Sequence, residues 1–108
     1  GRPAVQGVAG RNLDSQTARA AARLAALNAL AAARQALGSF DRVERMVRLS
    51  VYIACTGEFA EHARVADGAS ETFNSVFGSD RPHARLAIGV AALPGGMPVE
   101  LEVILKLR

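Results

Sequence analysis

The sequence predicts an α+β fold in which two helices cover one face of a sheet. Two helix-length segments each end at a glycine. Three further segments alternate polar and apolar residues with period two, and the elements run helix, strand, helix, strand, strand. The chain has 108 residues, half of them hydrophobic. That is enough for one domain, residues 1–108, built on a single core, and it excludes a disordered chain.

Residues 1–13 carry Gly1, Gly7, Gly10 and Pro3 and read as loop, with a short strand at Ala4 to Val8. Asp14 or Ser15 can cap a helix that runs to about Leu37, with Gly38 just past its end. Its alanines at 18, 21, 25, 29, 32 and 36 form a ridge that permits close packing. Arg45 to Ala54 alternates, with Val47, Leu49, Val51 and Ile53 on one face and Met46, Arg48, Ser50 and Tyr52 on the other. Thr56-Gly57 breaks this strand. A second helix starts near Phe59 or Glu61 and ends at Phe77 before Gly78, with Val65, Ala69, Phe73, Val76 and Phe77 as its apolar stripe. Two strands follow, His83 to Ala92 and Val99 to Leu107, joined by a Pro- and Gly-rich turn from Leu93 to Pro98.

Alternation assigns faces to the last two strands. Ala84, Leu86, Ile88, Val90 and Ala92, with Val99, Leu101, Val103, Leu105 and Leu107, form the face expected to receive the helices. The other face carries His83, Arg85, Ala87, Gly89 and Ala91 beside Glu100, Glu102, Ile104 and Lys106. Small residues around an arginine leave room for a ligand, and a guanidinium in such a recess can grip a carboxylate through two parallel hydrogen bonds. Glu100, read as lying on the neighbouring strand, could activate a water. The same two residues also read as an ordinary cross-strand ion pair, and patterning alone leaves both readings open. A face this sparing in polar groups suggests burial against a second copy.

The charge is +3. Twelve of the thirteen basic residues are arginines spread along the chain, and only Arg42, Arg45 and Arg48 form a local group. Without tryptophan and with one tyrosine, nothing interleaves aromatics with this charge, so the balance does not point to nucleic acid. The apolar stretch from Ala20 to Ala33 contains Arg23 and Asn28 and is too short for a membrane span. Cys55 has no intrachain partner, which fits a reducing cytoplasm, and reads as a small buried residue at a strand end. His62 is expected to be solvated.

The stretch Arg81-Pro82-His83-Ala84-Arg85-Leu86-Ala87-Ile88, then Leu93-Pro94-Gly95-Gly96-Met97-Pro98-Val99-Glu100-Leu101-Glu102-Val103-Ile104, resembles the C-terminal signature of the YjgF/RidA family. The Arg85 to Glu100 separation matches without a gap. Ala21-Ala22-Arg23, Leu27 to Leu30, Phe59 and Val65 to Ser70 are similar to a subgroup with His-Ala-Arg in place of Pro-Ala-Arg. The resemblance implies a chorismate-mutase-like α+β fold, a mixed β-sheet with two α-helices packed on one face, assembled as a homotrimer with ligand sites between subunits. It implies hydrolysis of reactive enamine/imine intermediates of amino acids to 2-keto acids and ammonia, with no cofactor and no metal. Arg85 would bind the substrate carboxylate, Glu100 would position water, and Ala87 and His83 would border the substrate. A non-catalytic carboxylate-binding trimer is the alternative, and RNA cleavage the third. Two departures bear on activity: Leu86-Ala87 stands where Ser-Cys is common, and the chain is expected to begin after the family's N-terminal β-hairpin.

Overall fold

The computed structural model describes residues 6–108. The elements are α1 (Ser15–Leu37), β1 (Val43–Ala54), α2 (His62–Phe77), β2 (Ala84–Val90), a short 3-10 turn (Pro94–Gly96) and β3 (Val99–Leu107). The strand expected at Ala4 to Val8 lies partly outside the described residues. Residues 6–8 are irregular, and Ala9 makes isolated bridges to Leu13 and Cys55.

The helices begin and end where local chemistry dictates. Asp14 Oδ1 accepts the Thr17 backbone N–H at 2.7 Å, satisfying a donor left free in the first turn of α1. Gly38 (φ 83°) closes the helix by donating its N–H to the Arg34 carbonyl, and Gly78 (φ 84°) does the same to Asn74 after α2. A side chain at either φ would be strained.

The face of α1 that packs inward is the row Ala18, Ala22, Ala26 and Leu30, spaced four apart and buried. It overlaps the expected alanine ridge only at Ala18, with Ala21 and Ala29 at its border. Small residues here let α1 and α2 approach closely. At Gly68 of α2 even one added methyl would run into the backbone carbonyl of Arg19. Phe73, Leu49, Ile53, Val51, Val65 and Val99 are the largest fully buried side chains and form the core between helices and sheet.

The sheet is mixed, in the order β2-β1-β3. The last two strands are therefore not neighbours, as the turn between them had suggested. β1 lies between them, parallel to β2 and antiparallel to β3. α2 is the crossover that the parallel β1–β2 pair requires. Register places Leu49, Val51 and Ile53 in rows with Arg85, Ala87 and Gly89 on one side and with Val103, Leu101 and Val99 on the other. This face lies beneath the helices. The opposite, uncovered face carries Ala84, Leu86 and Ile88 of β2, Arg48, Ser50 and Tyr52 of β1, and Ile104, Glu102 and Glu100 of β3.

The face assignment made from alternation thus holds for β3 and is inverted for β2. The small side of β2 sits under α2, while Leu86, Ile88 and Ile104 remain 37%, 39% and 45% exposed on the uncovered face. Register shifts at Glu44 and Val47 mark bulges in β1. The second brings Met46, expected on the polar face, into phase with Leu49 in the core.

Candidate functional site

Arg85 projects from the helix-covered face of β2 toward α2. Its Nη1 donates to Asp67 Oδ1 at 2.6 Å and to Ser70 Oγ at 3.3 Å. Asp67 and Ser70, three residues apart on α2, share the side facing β2. Both of these bonds use Nη1, so Nε and Nη2 have no partner among the described residues. These are the two donors that can present a side-on grip to a carboxylate. The arginine side chain is 28% exposed and that of Asp67 49%. The pair is thus wet enough to be worth no more than about 1 kcal/mol, and it orients the guanidinium more than it stabilises the fold.

His83, just ahead of β2, is half-buried with its Nε2 3.0 Å from Ser70 Oγ. Burial, and secondly the charge of Arg85, push its pKa below the usual histidine value of 6.5, so it is neutral at physiological pH. Arg85 can only donate. The Ser70 hydroxyl accepts from it and also lies within hydrogen-bond distance of His83 Nε2, so Arg85, Ser70 and His83 form one connected chain. Asp67, Ser70, Asn74, Ser79, His83 and Arg85, with Glu71 and Pro82, line an open cleft of about 400 Å³.

The structure brings Arg85 and His83 together. Glu100 lies elsewhere: it pairs with Tyr52 across β1 and points from the uncovered face. The expected cross-strand neighbourhood of Arg85 and Glu100 does not form within one chain, because β1 intervenes and the two side chains leave opposite faces. Ala87 lies two residues along from Arg85 on the same face, against Val51 and the core, and does not line the cleft. Leu86, in the position where the departure from the family pattern was noted, faces away from the cleft. The sequence reading singled out Arg85 and His83 but missed Ser70. Its only signal was the spacing of three from Asp67.

A second contact was also missed. His62, expected to be solvated, is half-buried, with Nε2 3.5 Å from Cys55 Sγ and its ring edge-on to Phe59. Gly89 makes room for it, since a side chain there would meet both Cys55 and His62. Burial raises the Cys55 thiol above its ordinary 9.0, so it is a poor nucleophile at neutral pH. Among the described residues no group of three or more metal-binding side chains converges, and no helix is long and apolar enough to cross a membrane.

The α+β layer, with two helices over one face of a mixed sheet, defines the class of protein. The family described as "YjgF/chorismate mutase-like, putative endoribonuclease" matches residues 1–102, and the chain belongs to it. Protein TCP17 of Trypanosoma cruzi is 42% identical over 103 residues, which cover 94% of this chain and 64% of TCP17. The chain thus spans less than two thirds of that relative. The crystal structure of Atu1372, a protein of unknown function from Agrobacterium tumefaciens, superimposes with a TM-score of 0.92 at 38% identity, covering 97% of this chain and 68% of that one. A "putative endoribonuclease" from Shewanella oneidensis MR-1 superimposes with a TM-score of 0.91 at 29% identity, covering 96% and 69%. The expected chorismate-mutase-like fold is borne out by these likenesses.

Proposed function

We propose that the chain binds a small 2-imino or 2-keto acid through Arg85 and, as a homo-oligomer, hydrolyses reactive enamine/imine acids to 2-keto acids and ammonia. The observation that carries this reading is the guanidinium itself. Asp67 and Ser70 hold it through one nitrogen, which leaves Nε and Nη2 without a partner among the described residues, and the arginine lines an open cleft.

The chemistry asks for little more than positioning. With the carboxylate on Arg85, water adds to the imine carbon, giving up a proton to a carboxylate base. That proton passes to nitrogen to complete the carbinolamine, whose C–N bond then breaks as its hydroxyl proton follows to nitrogen, leaving the keto acid and ammonia. Glu100 is the proposed base. Since it leaves the opposite sheet face from Arg85, the reading requires a Glu100 from a neighbouring copy. The uncovered apolar face, with Leu86, Ile88 and Ile104 exposed, supports such an assembly, and a homotrimer is the proposed form.

Ammonia release from an enamine acid tests this. Arg85→Ala and Glu100→Ala are each expected to abolish turnover. Co-assembled from a mixture, the two variants should recover activity at about a quarter of the sites, where an intact arginine meets an intact glutamate. Two inactive parents with no recovery would contradict a shared site.

The same placement of Glu100 favours a second reading, in which the protein binds small carboxylates without turning them over. It predicts keto-acid binding by the wild type with no ammonia released. RNA cleavage, the activity in the Shewanella protein's name, finds less support. The cleft lining offers one histidine and no Phe, Tyr or Trp on which a base could stack.

A further inference from the structure

A second cleft, of about 240 Å³, opens beside the Arg85 cleft, and Asn74 and His83 line both. It lies at the end of the sheet where β1 begins and β3 finishes. Its floor is Met46, Phe73 and Phe77, and its rim holds three arginines: Arg45, Arg81 and Arg108. Glu44 and Asp80 also line it. Glu44 is already committed, with Lys106 Nζ 3.1 Å from its carboxylate. That hydrogen bond first, then the charges of Lys106, Arg81 and Arg108, hold the Glu44 carboxyl below its ordinary value, a sign of positive potential at this spot. Arg108 spends its Nε on the Asp41 carbonyl. Arg45 and Arg81 make no ion pair among the described residues.

Arg81 and Arg85 are four residues apart, so their Cα atoms are separated by at most about 14 Å. Asn74 and neutral His83 line both clefts. Two arginine-lined recesses that share these side chains suit one ligand with an anion at each end. We propose that the ligand of the Arg85 cleft is a small acid with a second anionic group, a carboxylate or a phosphate, received by Arg45, Arg81 and Arg108. This rests on the reading of Arg85 as a carboxylate clamp and narrows it to a class of substrate.

Calorimetric titrations of the whole chain with 2-oxobutyrate, 2-oxoglutarate and 3-phosphoglycerate test the idea. At least one of the two doubly anionic acids should bind about tenfold more tightly than 2-oxobutyrate, and which one does so identifies the tail as carboxylate or phosphate. Arg81→Ala should erase that advantage while leaving 2-oxobutyrate within about twofold. Arg23→Ala removes one positive charge from α1, away from both clefts, and should leave all three affinities unchanged. Equal binding of the three acids, or an equal loss in Arg81→Ala and Arg23→Ala, would overturn the second anion site and leave the Arg85 clamp standing. Absence of binding by all three acids would overturn both.

Discussion

At the scale of single residues, the cleft depends on a few atoms with fixed directions. Arg85 offers a rigid fork, and Asp67 and Ser70 hold one of its tines. Lysine at this position would keep the charge and lose the fork. Arg85→Lys is therefore expected to weaken 2-oxobutyrate binding about tenfold or more, as read by calorimetry. His83 gives a pH signature. Its folded-state pKa lies below the unfolded value of 6.5, so the unfolded chain takes up this proton first as pH falls. The contribution of neutral His83 to stability is complete above 6.5 and is lost as pH drops through its lower folded value. Urea midpoints at about pH 7.5 and about pH 5 should converge in His83→Asn relative to the wild type. An identical gap in both proteins would show that His83 does not carry this pH dependence. At this scale the sequence was only partly legible. Arg85 and His83 stood out as polar residues on a face of small ones, but Ser70 looked like any helical serine, because its role comes from what β2 places opposite it.

At the scale of elements, the short-range rules served well. Asp14, Gly38 and Gly78 mark helix ends because each satisfies a neighbouring backbone group, a chemistry contained in four or five residues. Alternation found the strands but could not say which face turns inward. On β2 the apolar set of Leu86 and Ile88 was read as core, whereas the close approach of α2 selects the small residues Ala87 and Gly89 and gives Arg85 its partners. A single bulged residue, Val47, shifts the phase of β1 and carries Met46 inward, and no composition rule marks it. The α1–α2 contact is the element that single substitutions test best. Gly68→Ala would gain about 1 kcal/mol of helix propensity. Its methyl, however, meets the Arg19 backbone, which cannot swing aside, and overpacking of this kind costs about 1–3 kcal/mol. A net loss is expected, visible as a lower denaturation midpoint. A rise would mean that the helices are not this close. Phe73→Ala, which empties the centre of the core, should cost about 3–5 kcal/mol.

For the whole molecule, strand order decides what one copy can do. The turn from Leu93 to Pro98 suggested a hairpin, since strands consecutive in sequence usually pair. Instead that turn crosses the end of β1, where Ala54 donates to the Pro98 carbonyl and Cys55 to that of Val90. This non-local arrangement separates Arg85 from Glu100 and leaves no trace in the spacing between them. It also leaves an uncovered sheet face bearing Leu86, Ile88 and Ile104. Placing a charge there should break the proposed assembly: the wild type is expected to sediment as an oligomer and Ile88→Glu as a monomer, while the fold, read by circular dichroism, is retained. An unchanged sedimentation coefficient would remove this face from the proposed assembly, and with it the proposed meeting of Glu100 with a neighbour's Arg85.

The most direct test of the account is the affinity of one small acid for one guanidinium. Calorimetric titration of 2-oxobutyrate into the wild type should give saturable binding at one site per chain, lost in Arg85→Ala and retained in Glu100→Ala. Binding that survives in Arg85→Ala would contradict the clamp.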